Sequence, residues 1–196
     1  VGFIFTNFSY FSGDDWKPGT KFDEAPAGYW DRFTSAGPDL LIATCAVLDE
    51  ILRFQPIFPS CTAMSRGFYD AVGGYDARFG RLPSEDLEFT LRCVMAPPIW
   101  AVTEPTAGIR RHEGNHSADL IRQIWGEVEI LAHSVSAHGP NDAQRRALRA
   151  SIGERAAQGQ GSGTLAGIPL ALPALSRAQK LGRRAADTDF DWPDAA

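Results

Sequence analysis

Two short clusters of polar residues have the types and spacing for chemistry. Glu85-Asp86 follows Ser84 and stands directly before an apolar-periodic segment, so the spacing predicts both carboxylates in the first turn of a helix that Ser84 can cap. There they either complement the positive end of the helix dipole and do nothing more, or accept a proton from a hydroxyl brought within hydrogen-bond reach. The second cluster is Arg110-Arg111-His112, with Asn115 and Ser117 close behind. Arginines can grip phosphate oxygens through fork-like hydrogen bonds, and a loop histidine can ligate Mn2+ or Mg2+ beside them. The other reading leaves both arginines solvated and His112 capping a loop. A hydrolase with Glu85 and Asp86 as paired acids is disfavoured, because neighbouring helical positions project in different directions and cannot flank one bond.

Positioning these clusters requires a scaffold, and the sequence reads as an alternation of strands and helices. Val1–Phe8 is aromatic and β-branched without helical period, a buried strand. Residues 9–38 hold many Gly and Pro, which predicts a long loop with a short helix near Tyr29–Phe33. Leu40–Leu52 reads as a short strand and a helix, and Ile57–Met64 as a strand leading into a helix over Arg66–Val72. Gly73-Gly74 then supplies a left-handed stop. After a loop over Tyr75–Pro83, Leu87, Leu91, Val94 and Met95 share one face of the helix that begins at Glu85. Pro97-Pro98 ends it, and Ile99–Val102 is a short strand. A polar loop over Arg110–Ser117 precedes an amphipathic helix over Ala118–Ala137, and beyond Gly139-Pro140-Asn141 another runs over Asp142–Ala157. From Gly159 onward a Gly/Ser-rich linker and a mixed-charge tail are expected.

Composition narrows the classes further. The 196 residues are 44% hydrophobic and 22% charged, the profile of a globular protein with a real core. Nineteen basic against 24 acidic residues give a net charge of −5, which disfavours a nucleic-acid binder that works by neutralising phosphates. No apolar run approaches the roughly 20 residues of a membrane span. Arg145, Arg146 and Arg149 line a helix face read as solvated, with a peripheral contact to anionic lipid or a partner as the other reading. Cys45, Cys61 and Cys93 are widely spaced and odd in number, so buried free thiols in a reducing cytoplasm are expected rather than a disulfide framework or a zinc site.

The block Cys61–Gly80, the pair Glu85-Asp86 and the segment Ile109–Ser117 together resemble the C-terminal half of a family 2 glycosyltransferase with the GT-A fold. That family shows an Arg-containing helix, a Gly-Gly-aromatic-Asp turn, a Glu-Asp pair opening a helix, and a segment similar to Arg-x-His-x-x-Asn-x-Ser after a strand. The resemblance covers residues 1–155. It implies an α/β fold, a partial GT-A (Rossmann-like) mixed sheet flanked by helices, followed by a helical extension and a flexible tail. The expected division is an acceptor-side part at 1–117, the extension at 118–158 and the tail at 159–196.

The function it implies is transfer of a sugar from a nucleotide-diphosphate donor to a glycan or lipid-linked acceptor, with inversion and a divalent metal, Mn2+ or Mg2+. Asp86 is then the base and Glu85 helps to hold the acceptor. His112 is the metal ligand, and Arg110, Arg111, Asn115 and Ser117 bind substrate. Asp14-Asp15-Trp16 superficially resembles the family's metal-binding Asp-x-Asp motif, but it lies in a turn-rich segment rather than directly after a buried strand. Val1–Phe8 matches better the strand that follows that motif, so this chain is expected to lack the nucleotide-binding half. The alternative is a non-catalytic binding remnant of the fold.

Overall fold

A computed structural model describes residues 2–111 and 120–160. The chain divides into two compact units: the strands with the first three helices, and residues 81–85 with the last two helices.

The sheet unit begins with β1 (Phe3–Ser12), whose Phe3, Phe5 and Phe8 are buried. Then come β2 (Asp15–Trp16), β3 (Thr34–Gly37), β4 (Leu40–Ala43), α1 (Leu48–Arg53), β5 (Thr62–Met64), α2 (Arg66–Val72), α3 (Glu85–Val94) and β6 (Ile99–Arg110). Among the described residues the six strands form one sheet in the order β2-β1-β6-β4-β3, with β5 also paired to β1. β1 and β6 are parallel and the other pairs antiparallel, so the protein is mixed α/β.

Core burial follows the alternation of β1 as far as Thr6, where the register with β6 shifts twice around Asn7. That irregularity leaves backbone groups to satisfy, and the buried Asn7 amide serves them. Its Nδ2 donates to Thr20 Oγ1 at 2.9 Å and to the Thr103 carbonyl at 2.8 Å. Its Oδ1 accepts from the Phe8 and Phe22 amides at 2.9 and 3.0 Å. Two donors and two acceptor positions exhaust a primary amide, so one side chain ties the bulge to β6 and to the loop that delivers Phe22 to the core. Phe22 and Phe33 then meet Phe5 edge-on.

In the helical unit, α4 (Leu120–Ser136) and α5 (Asp142–Gln160) are linked through a turn in which His138 and Gly139 both have positive φ. Leu131, Leu148 and Ala156 are fully buried. Glu127 on α4 pairs with Arg155 on α5 at 2.7 Å, and Arg155 also reaches Ser151. No described helix is long and apolar enough to cross a membrane.

Several sequence expectations are corrected here. Tyr29–Arg32 is a turn rather than a helix, with Tyr29 buried against Phe54. Residues 9–38 are not one loop, since they hold the end of β1, all of β2 and all of β3. Of Ile57–Met64 only Thr62–Met64 is strand, and the strand expected over Ile99–Val102 runs on to Arg110. The expected tail from Gly159 lies, beyond α5, outside the described residues.

The thiols are also corrected in part. Cys61 and Cys93 are buried, but Cys45 is exposed and lies beside Arg32. Burial raises the Cys61 thiol and pushes Cys93 up to about 12, so neither forms thiolate near neutrality. With an aromatic disulfide reagent at about pH 8, Cys45 should react in the fast phase and the other two only after denaturant is added. Fast reaction of Cys93 in the native protein would contradict its packing.

Candidate active site

The sequence-predicted Glu85-Asp86 pair does stand in the first turn of α3, with Glu85 exposed and Asp86 half-buried. Ser84, expected as the cap, has φ of 63°, whereas an N-cap residue ordinarily sits in the β region. The chain therefore enters α3 through a left-handed residue.

What fixes α3 against the preceding turn is a side chain the sequence reading passed over. Arg92 forms a two-pronged ion pair with Glu88, Nε to Oε1 at 2.9 Å and Nη2 to Oε2 at 2.6 Å. Its Nη2 also donates to the Gly74 carbonyl at 2.6 Å, and its Nη1 donates to the Val72 carbonyl. Those carbonyls belong to the end of α2 and the turn after it. α2 itself is bounded as its sequence predicts. Ser65 Oγ accepts from the Phe68 amide at 3.1 Å, and Gly73 closes the helix at φ 90°. Gly74 follows at φ 65°, where a Cβ would stand 2.8 Å from the Tyr69 hydroxyl oxygen. A second glycine is thus required by contact as well as by conformation.

Aromatic packing completes the clasp. Tyr75 stacks on Phe89 of α3 at 4.4 Å between ring centroids, and Tyr69 meets the same ring at 5.6 Å. Asp76 next accepts from the Arg78 amide at 2.9 Å and pairs with the Arg78 guanidinium, shaping the turn over Ala77–Phe79. The Gly-Gly-Tyr-Asp turn is therefore held against the helix that opens with Glu85-Asp86.

Arg110 and Arg111 stand at the carboxyl end of β6, beside the carboxyl end of its parallel neighbour β1. The Arg111 amide donates to the Phe11 carbonyl at 2.7 Å, and its guanidinium lies 4.3 Å from the centre of the Tyr10 ring. Arg110 is the register partner of Phe11. Side chains alternate across a strand, so the two arginines serve opposite faces of the sheet and cannot both grip one group. His112, Asn115 and Ser117 lie outside the described residues, so the described site contains no tested metal ligand.

Comparison with models of known protein families, with curated proteins and with solved structures finds no match. The chemistry must accordingly be read from the residues themselves. A half-buried carboxylate at a helix start can take a proton, and guanidinium groups at the ends of parallel strands can hold an anion. Glu88 and Arg92 were legible as a Glu-to-Arg pair at i,i+4, a spacing that signals a helical ion pair.

Replacing Arg92 by Met leaves Glu88 buried without its two-pronged partner, and removal of one partner of such a pair costs roughly 3–5 kcal/mol. Urea unfolding should show that loss for Arg92→Met. The double variant Glu88→Leu/Arg92→Met should lose less than the single change, since it removes both charges. Equal stability of Arg92→Met and the parent would mean the clasp holds nothing.

Proposed function

We propose that this chain is the acceptor-side part of a family 2, GT-A-type glycosyltransferase, acting in the cytoplasm on a nucleotide-diphosphate sugar. The observation that carries the reading is the clasp by which Arg92 and Phe89 bind the Gly-Gly-Tyr-Asp turn to the helix headed by Glu85-Asp86. In that family these motif pieces serve one acceptor site, and here they pack as one piece.

The topology supports the same reading. Residues 95–98 alone join α3 to β6. A helix and strand joined so briefly in an α/β layer fold back on one another, which brings the first turn of α3 and the last residues of β6 toward one end of the sheet. Ligands of such sheets bind outside the carboxyl ends of parallel strands.

Asp86 takes the acceptor hydroxyl proton as the oxygen attacks the anomeric carbon, and Glu85 helps to orient the acceptor. Departure of the nucleoside diphosphate builds negative charge, which one of Arg110 and Arg111 offsets. A divalent ion, Mn2+ or Mg2+, would stabilise the same charge beside His112. Asn115 and Ser117 would add contacts to substrate.

In the complete polypeptide, Asp86→Asn should lower sugar transfer by about 10²–10⁴, the usual contribution of a positioned base, with an unchanged melting temperature. Radiolabelled transfer from a nucleotide-sugar measures this directly. Near-normal turnover would overturn the assignment.

A further inference from the structure

The one large aromatic ring most open to solvent is not placed at random. Trp16 is 60% exposed, yet it is held on a built floor. It pairs in register with Phe11 across the β1–β2 hairpin and stacks on that ring at 4.9 Å and 30°. Beneath it lies Gly108 of β6, where a Cβ would stand 2.6 Å from the indole Cη2 and 3.2 Å from the Phe11 ring. Only glycine lets the indole lie down there. Arg110, two residues on and paired with Phe11, presents its guanidinium on this same face.

We infer that Trp16, floored by Phe11 and Gly108, is a stacking platform for a ring of an anionic glycan chain, with Arg110 holding that ring's negative group. The inference rests on the glycosyltransferase reading and names its acceptor class. The open indole face offers a sugar ring a flat apolar partner, and the neighbouring cation supplies the charge complement. A small free ligand is a poorer occupant. Such ligands are enclosed over most of their surface, whereas this platform covers one side only. A chain of repeated rings gains its affinity from several such one-sided contacts. The assignment also divides the two arginines, with Arg110 on the glycan face and Arg111, against Tyr10 on the other face, left for the donor diphosphate.

The test is calorimetric titration of the 196-residue chain with hexagalacturonate, and with maltohexaose as the neutral comparator. The acidic hexamer should bind more tightly and lose affinity as salt rises. Trp16→Ala should weaken it by about tenfold or more, Trp16→Phe much less because a ring is kept, and Arg110→Gln should erase most of the preference for the acidic chain. Absence of hexagalacturonate binding, or binding indifferent to Trp16→Ala, overturns the platform. Equal affinity for the two hexamers overturns the anionic assignment, and Trp16-dependent dimerisation in sedimentation shows that a second copy is the occupant instead. The transferase reading fails or stands separately, on the turnover of Asp86→Asn, so the two outcomes cannot be confused.

Discussion

The buried carboxylate of Glu88 sets the strongest constraint on the sheet unit. At 1% exposure it cannot stand charged without close partners, and Arg92 on the next helical turn supplies two hydrogen bonds to it. A guanidinium has donors left over after a bidentate pair, and those go to the carbonyls of Val72 and Gly74. The same cation therefore pays a double role: it neutralises α3 internally and terminates α2. Without it, the last carbonyls of α2 and the turn after it would need other donors. A Lys at 92 would carry the charge but lacks the planar fork that spans a carboxylate and two carbonyls at once.

A second constraint acts at the other end of the unit. Parallel strands need matched, evenly spaced ladders, and β1 and β6 fall out of step around Asn7. The amide of Asn7 absorbs the mismatch by bonding both strands and the Phe22 loop, so the irregularity becomes an anchor. Downstream of it the strands resume register from Phe8 to Phe11. That restored stretch is what brings Tyr10, Phe11, Gly108, Arg110 and Arg111 to one end of the sheet. Thus the bulge decides which residues stand at the carboxyl ends.

How much of this was legible in the sequence depends on whether local chemistry or long-range pairing decides. β1 declares itself through Phe3, Phe5 and Phe8, and the end of α2 through Gly73, because hydrophobic period and glycine's left-handed freedom act locally. The outer half of β6 does not. Pro105 and Gly108 argue against a strand, yet beyond Val102 β6 is paired to β1 alone, and a strand with one free edge tolerates proline. Tyr29–Phe33 misled for the opposite reason: its apolar spacing suits a helix, but Tyr29 and Phe33 are drawn into the core from a turn. The acidic pair was legible as a helix start, while the clasp that fixes it required contacts between segments far apart in sequence. Trp16 carried a signal that went unused, since a tryptophan in a polar turn has no core of its own to fill.

Taken together, these constraints separate rigidity from exposure. Glu88, Arg92 and Asn7 are buried or nearly so, with their polar groups engaged inside the sheet unit. Asp86, Arg110, Arg111 and Trp16 stand one or two positions beyond such anchors and reach solvent. A side chain that must meet a ligand gains from this arrangement, because its backbone is fixed before the ligand arrives and little further ordering is left to oppose binding. The two arginines show the consequence most clearly. The ladder that continues through the Arg111 amide holds both at the rim, and strand alternation sends them to opposite faces. One sheet end can therefore address two anionic groups at once, a leaving diphosphate on one side and a charged acceptor on the other, without either competing for the same cation.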